Sequence, residues 1–523
     1  MGTNPGGLPA LQAQLPDAHV LVPGRALVVE GPRPHVRGAT YVFDLTTSRR
    51  ALEFDNTEPD ASQQWYLKTD NAWSFWPEEP NLAPVKVAVI DSGVDAGHPE
   101  FVGRIAAGHA YVGSPSSWRT DTCGHGTFVA GEIAANPFNG VGMAGLAFNA
   151  KLLVAKVTDS SCNVSTEGEI DGIRWAVDHG ARVINLSIGG TRDPEDSQLD
   201  SFSPPEEAAV QYAYSRGVLV VAAVGNGTSE AKMPWNWADY PAALPHVLGV
   251  AAIKQDGAVP DYSNRDKQYV DIAAPGGPIF STIPRNLVDT SIAGCAGVAY
   301  STCGPSEFKD GIGTSFAAPQ VASAAALLFG ADPNLTPGQV EWLLERSARD
   351  ANPSTGCGAC PVGRDSLTGW GDLDVAAALR LLGDATKLPP ADALEPNDDA
   401  GLMAHPFVLP RTIEATLDYR DDPVDVYSIH HNPGDELFAR LGLDPVAPTA
   451  LALWKPGTVH VVGPPREVLA SRAAQSIEVG GQERLGYVAP VTGTYYVEVS
   501  ILRPSRALDR YALSVAIRKA GES

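Results

Sequence analysis

A chain of 523 residues, 44% hydrophobic and 19% charged, is too long for one hydrophobic core and too apolar to stay disordered. Its formal net charge of −23 argues against nucleic-acid and anionic-membrane partners, because neither surface attracts an acidic protein. No run reaches the roughly 18 apolar residues of a membrane span. Residues 1–18 lack the basic start and apolar centre of a signal segment, so the chain is expected either not to be exported or to have lost its signal.

Residues 1–60 are rich in Gly and Pro, with strand-like runs at Arg25 to Glu30 and Thr40 to Leu45 and no helical period, which predicts a small β-rich extension. From Ala83 the pattern changes. Val85 to Asp91, Lys151 to Val157, Ala181 to Ile188, Val218 to Val224 and Val247 to Ile253 are nearly continuous apolar runs, the signature of strands buried on both faces of a parallel sheet. Helices are predicted between them, at His125 to Ala135 and after Thr166, where Thr166 and Glu169 read as a capping box ahead of Ile170, Ile173 and Val177. This alternation predicts a doubly wound α/β domain, whose ligands bind outside the carboxyl ends of the strands. Asp91 falls at such an end.

Gly311 to Gly330, GIGTSFAAPQVASAAALLFG, brings Ser315 to the start of an apolar helix. Val321, Ala324, Ala325 and Leu328 share a face, Pro319 fits the first turn, and Gly330 is expected to end the helix. Unpaired N–H groups and the positive dipole end lie there, so Ser315 reads equally as an N-cap or as an acyl-transfer nucleophile. Thr336, Pro337 and Gln339 start a further helix carrying Val340, Leu343 and Leu344.

Beyond Gly383, KLPPADALEPNDD reads as a linker. Asp425 to Ile429, Leu437 to Leu443, Thr449 to Trp454, Arg484 to Val488, Gly493 to Val499 and Tyr511 to Ile517 then predict an antiparallel β-sandwich. The expected organisation is an extension over 1–60, an α/β domain over 61–384, a linker over 385–391 and a sandwich over 392–519. The six cysteines allow 15 pairings. An even count in an acidic, loop-rich chain favours disulfides and an oxidising compartment. Zinc is the other reading for Cys357 and Cys360 in GCGAC, although no second ligand pair accompanies them.

Four segments carry the chemistry. VAVIDSGVD puts Asp91 at a strand end, CGHGTFVAG puts His125 at a helix start, and GIGTSFAAP supplies Ser315. A serine hydroxyl attacks an amide only when a neutral imidazole takes its proton and a buried carboxylate fixes that imidazole's tautomer. Asn226, in VVAAVGNGT, follows another buried strand and can donate to an oxyanion. Singly, a turn aspartate, a core histidine and a turn asparagine are the commoner readings. Together, in the order Asp, His, Ser, the segments resemble the subtilase family of serine endopeptidases over about residues 61–382.

The resemblance implies a secreted, extracellular endopeptidase that works through an acyl-enzyme on protein or peptide substrates, needs no catalytic cofactor and is a monomer. VINLSIGG looks like the family's substrate-binding strand, with Ser187, Ile188 and Gly189 pairing to an extended peptide, and Ala223, Val224 and Gly225 like one wall of the main specificity pocket. Phe128 stands where many members have a second histidine, and Phe316 where methionine is commoner. A Cys123–Cys162 disulfide resembles one of extracellular subtilases, and Cys295–Cys303 and Cys357–Cys360 are expected beside it. Glu100 and Asn139 match ligands of a family calcium site that the carbonyls of Val141 and Met143 would complete. QQWYLKTDNAW looks like the start of a mature peptidase domain, so residues 1–60 lie where a propeptide would, without its helices. Residues 392–518 resemble the bacterial pre-peptidase C-terminal domain in LEPNDDA, DDPVDVYSI and APVTGTYYVEV. Two other functions share these features: a catalytically silent subtilase scaffold that binds protein, and a processing peptidase with one dedicated partner.

Overall fold

A computed structural model describes residues 19–22, 26–28, 58–72, 82–288, 307–384, 388 and 394–519, except positions 115, 197, 228–231, 402, 410, 418–422, 444–447, 460, 462–468, 477–482 and 503–508. The run Thr40 to Leu45 lies outside them, as do Cys295 and Cys303. The chain divides into two units, Met1–Pro389 and Pro390–Ser523. In the first, β1 (His19–Val22) and β2 (Ala26–Val28) form an antiparallel pair, and α1 (Trp65–Thr69) buries Tyr66 and Leu67.

The sheet of this unit holds β3 (Val85–Asp91), β4 (Ile105–Ala110), β5 (Ala150–Lys156), β6 (Val183–Leu186), β7 (Leu219–Ala223), β8 (Val247–Lys254) and β9 (Ile272–Gly277), all parallel. Their order, β4-β5-β3-β6-β7-β8-β9, reverses at β3, so Asp91 ends the strand at the topological switch point, where ligands bind in open α/β sheets. Alternate residues serve opposite layers. Val87, Val89, Leu152 and Val154 pack against α2 (His125–Ala134) on one face, and Ala88, Ile90, Leu153, Ala155 and Val220 against α3 (Thr166–Asp178) and α4 (Pro204–Ser215) on the other. The antiparallel pair β10 (Ile279–Thr282) and β11 (Phe308–Gly311) leads into the segment that carries Ser315.

A 3-10 turn over Thr314–Phe316 feeds α5 (Ala318–Ala331), which joins α2, α6 (Pro337–Ser347) and α7 (Val375–Leu382) in the first layer. Thr314–Ala331 is long and apolar enough for a membrane span, yet 94% of it is buried inside the unit, as a central core helix must be. Gly330 does not end α5. It lies within the helix, where a Cβ would sit 2.3 Å from Asn149 Nδ2 and 2.9 Å from Ala83 O, so glycine is needed there for close approach. The cap of α3 also moves: Ser165, one residue before Thr166, accepts the Gly168 N–H, and Glu169 turns inward to Glu206. The Thr336–Gln339 capping box of α6 is present, with Pro337 in the first turn.

The second unit has a five-stranded sheet, β12-β14-β19-β16-β17, and a four-stranded sheet, β13-β20-β15-β18. These strands are β12 (His405–Pro406), β13 (Arg411–Leu417), β14 (Val424–His431), β15 (Glu436–Leu443), β16 (Thr449–Trp454), β17 (Arg472–Ser476), β18 (Arg484–Val488), β19 (Gly493–Ile501) and β20 (Asp509–Arg518). Every pairing is antiparallel except the two-residue contact of β12 with β14. Leu451, Tyr495 and Val497 of one sheet share a core with Leu437, Leu513 and Val515 of the other, which makes the unit a sandwich.

Candidate active site

The end of β3 delivers Asp91, 1% exposed, and the start of α2 delivers His125. His125 Nδ1 lies 2.8 Å from Asp91 Oδ2 and 3.0 Å from Oδ1, and the Ser92 N–H donates to Oδ1 at 2.6 Å. Gly126 follows because a Cβ there would lie 2.2 Å from Gly93 O. Burial pulls the imidazole pKa down, but the Asp91 charge and hydrogen bond, with Asp121 adding, outweigh it and raise the pKa above its ordinary value.

Asp121 escaped the sequence reading. Fully buried, it accepts from the N–H groups of Cys123, Gly124 and Thr127 and from the hydroxyls of Ser92 and Thr127, and so supplies the cap that Gly124 lacks. Ser92 Oγ in turn accepts the Gly126 N–H. Behind this pair of carboxylates, Lys156 donates to Ser92 O at 2.7 Å and Thr120 O at 3.2 Å. Its charge opposes theirs in the same buried pocket. The Cys123–Cys162 disulfide ties the turn before His125 to the loop after β5. Cys357 and Cys360 are also bonded, which leaves no thiolates there for zinc.

Ser315 caps no helix. Its hydroxyl donates to Ser187 O at 3.1 Å, while Ser187 Oγ donates back to Ser315 O at 2.7 Å and accepts from Asn185 Nδ2 at 2.9 Å. The Ser315 segment is thereby pinned to the end of β6. The Phe316 ring is tilted against its neighbours, its centroid 5.6 Å from that of His125 and 4.2 Å from that of Phe128, so the two residues that differ from the motifs of the resemblance touch each other. Asn226 Oδ1 accepts both the Thr314 N–H, at 2.8 Å, and the Thr314 hydroxyl, at 3.1 Å. With its oxygen occupied, the amide has Nδ2 as its donor end. Thr314 was not singled out in the sequence, because its partner is 88 positions away.

Ser187, Ile188 and Gly189 continue β6 beyond Leu186, and Gly190 pairs with Tyr240 through two 2.9 Å main-chain bonds. Ala223 ends β7. Val224 is fully buried in the α3–α4 layer with Val220 and Ala222, so only its main chain borders the site. Gly225 adopts φ +101°.

Glu100 lies in a separate cluster. It is fully buried, its Oε1 accepting the Met143 N–H and its Oε2 the Asn139 Nδ2, each at 3.0 Å, while the Val141 N–H donates to Asn139 Oδ1 at 2.9 Å. Burial, with the Glu58 carboxylate adding, pushes Glu100 up to about 7. Glu58, also buried, accepts the Gly140 N–H at 3.3 Å. Carboxylate and amide oxygens are the donor types a hard divalent cation takes, and here both Glu100 oxygens accept N–H groups, so the loop would have to turn those donors away to hold calcium.

Residues 83–371 match the subtilase family. Fervidolysin of Fervidobacterium pennivorans is 33% identical over 342 residues, 62% of this chain and 45% of that protein. Subtilisin DY of Bacillus licheniformis is 35% identical over 272 residues, 52% of this chain and 86% of that one. This chain therefore spans less than half the length of fervidolysin. The crystal structure of a lanthipeptide protease aligns over 63% of this chain and 96% of its own, with a TM-score of 0.50 and 25% identity.

Proposed function

The chain belongs to the subtilase family, and from that premise we propose that it is an extracellular serine endopeptidase that cleaves proteins or peptides through an acyl-enzyme on Ser315. The observation that carries this reading is the 2.8 Å bond between Asp91 and His125 at the sheet's switch point, with a serine hydroxyl that caps nothing on the residue before Phe316, whose ring lies 5.6 Å from that of His125. Asp91 holds the proton on Nδ1, so Nε2 is the nitrogen that takes one. Ser315 Oγ leaves Ser187 O, passes its proton to Nε2 and bonds to the scissile carbonyl carbon. The oxyanion draws on Asn226 Nδ2 and the main-chain N–H of Ser315. His125 then returns the proton to the leaving amine, and water, activated by the same imidazole, hydrolyses the ester.

Ser187, Ile188 and Gly189 would pair with the extended substrate, and Ala223 to Gly225 would flank its side chain. Glu58, Glu100 and Asn139, with carbonyls of Val141 and Met143, would hold calcium, which stiffens the loop and takes no part in the reaction. The second unit is read as a pre-peptidase C-terminal domain, and its two-sheet core supports that reading. Treatment with a fluorophosphonate followed by peptide mass mapping tests the proposal. The expected result is one adduct, on Ser315; a folded protein that takes none would overturn it.

A further inference from the structure

Asp239 sits where the two strands expected to hold the substrate come together. Its N–H donates to Val224 O at 2.9 Å, and the next residue, Tyr240, pairs with Gly190 in both directions at 2.9 Å. A Cβ on Gly225 would lie 2.1 Å from Asp239 Oδ2 and 2.5 Å from Asn264 Nδ2, so these polar atoms back the wall against a bare Cα. A Cβ on Gly189 would lie 2.2 Å from Tyr240 O, and the opposite wall is equally stripped of side chain.

The acid is unmatched. Among the described residues, Asp239 Oδ1 and Asn264 Nδ2 are both buried without a hydrogen-bond partner, an arrangement natural interiors rarely tolerate. The Arg192 guanidinium is engaged elsewhere, bonding Asp266 Oδ2 at 2.9 Å. Arg192 meets Asp239 through its main-chain N–H alone, and burial pushes the carboxyl up to about 7. A buried carboxylate facing a glycine-walled slot is completed by a cation that arrives on an apolar stem.

We propose that Asp239, held between Gly190 and Gly225, selects substrates with arginine or lysine immediately before the scissile bond. This rests on the peptidase reading and adds the substrate class to it. The stem of such a side chain lies along Gly189 and Ala223, and its charged end donates to the Asp239 carboxylate.

The test uses the full chain with a set of peptides that differ only at that position, carrying Arg, Lys, Gln, Phe or Leu. The expected result is a kcat/KM for Arg and Lys about 10²-fold or more above that for Phe and Leu, with the Arg-to-Phe ratio falling by about the same factor in Asp239→Asn. Equal or faster cleavage after Phe or Leu by the unmodified protein overturns the inference and leaves the peptidase standing, since Ser315 still takes the fluorophosphonate. An equal loss on every peptide in Asp239→Asn makes the residue structural and also overturns it. No cleavage and no labelled Ser315 would remove both readings together.

Discussion

On the proposed mechanism, four side chains at the site divide the labour in ways that separate kinetically. Ser315→Ala removes the attacking atom, and turnover should fall by about 10⁶, the loss subtilisin shows when its nucleophile goes. Asn226→Ala should lower kcat by about 10² to 10³, the subtilisin range, with KM little changed, because the oxyanion exists only after attack. Thr314→Val deletes one of the two bonds that aim Asn226 and keeps its bulk. It should lower kcat by about 10-fold; a change confined to KM would mean that Thr314 only shapes the pocket. Activity should also depend on pH through His125. Since Asp91 raises the imidazole pKa, kcat/KM should climb as pH passes above the ordinary imidazole value of about 6.5, because only neutral Nε2 accepts the serine proton. A flat profile between pH 5 and 9 would exclude His125 as the base.

Helix α3 meets α4 through two acids that cannot both ionise. Glu169 and Glu206 are buried and hydrogen-bonded to each other, and burial raises both, Glu206 to about 7. Unfolded glutamates titrate near 4.3, so the pair's contribution is complete below that pH and is lost as pH rises through about 7. Glu206→Gln keeps a hydrogen-bonding partner without titrating, and should raise stability at pH 8 by about 1–3 kcal/mol while changing little at pH 4. Thermal melts at the two pH values check this; equal shifts would mean the pair does not titrate in that window. The same helix shows what was hidden in the sequence. Glu169 looks like a capping-box residue, yet its true partner is on another helix and Ser165 does the capping. The buried central strand Val85–Asp91 was legible to the residue because both its faces are apolar, whereas the edge strands β4, IAAGHA, and β9, IAAPGG, carry Gly, His and Pro and escaped notice. Asp91, His125, Ser315 and Asn226 stand in local motifs. Asp121, Thr314 and Asp239 acquire meaning only from contacts made in space.

In the first unit, links distant in sequence converge on the α2 end of the sheet, and each should contribute separately to persistence. The Cys123–Cys162 bond closes 39 positions around the turn before His125, worth about 4 kcal/mol by loop-closure entropy, so reduction should lower Tm and activity together. The cluster of Glu58, Glu100 and Asn139 does a different job. It joins the segment before α1 to the loop after α2, and Asp60 N–H adds a 2.8 Å bond to Gly142 O across the same seam. Without a cation, two buried carboxylates oppose this closure; a divalent ion held there would turn the repulsion into a cross-link. Because calcium would bind the folded chain alone, stability must rise with its concentration, by about 2.7 kcal/mol at one hundred times the dissociation constant. Excess chelator should therefore lower Tm and speed autolysis, starting with cuts near the 58–72 segment, while Glu100→Gln should lower Tm in calcium and respond weakly to chelator. Identical melts with millimolar calcium and with chelator would mean that Glu100 is held by Met143 and Asn139 alone.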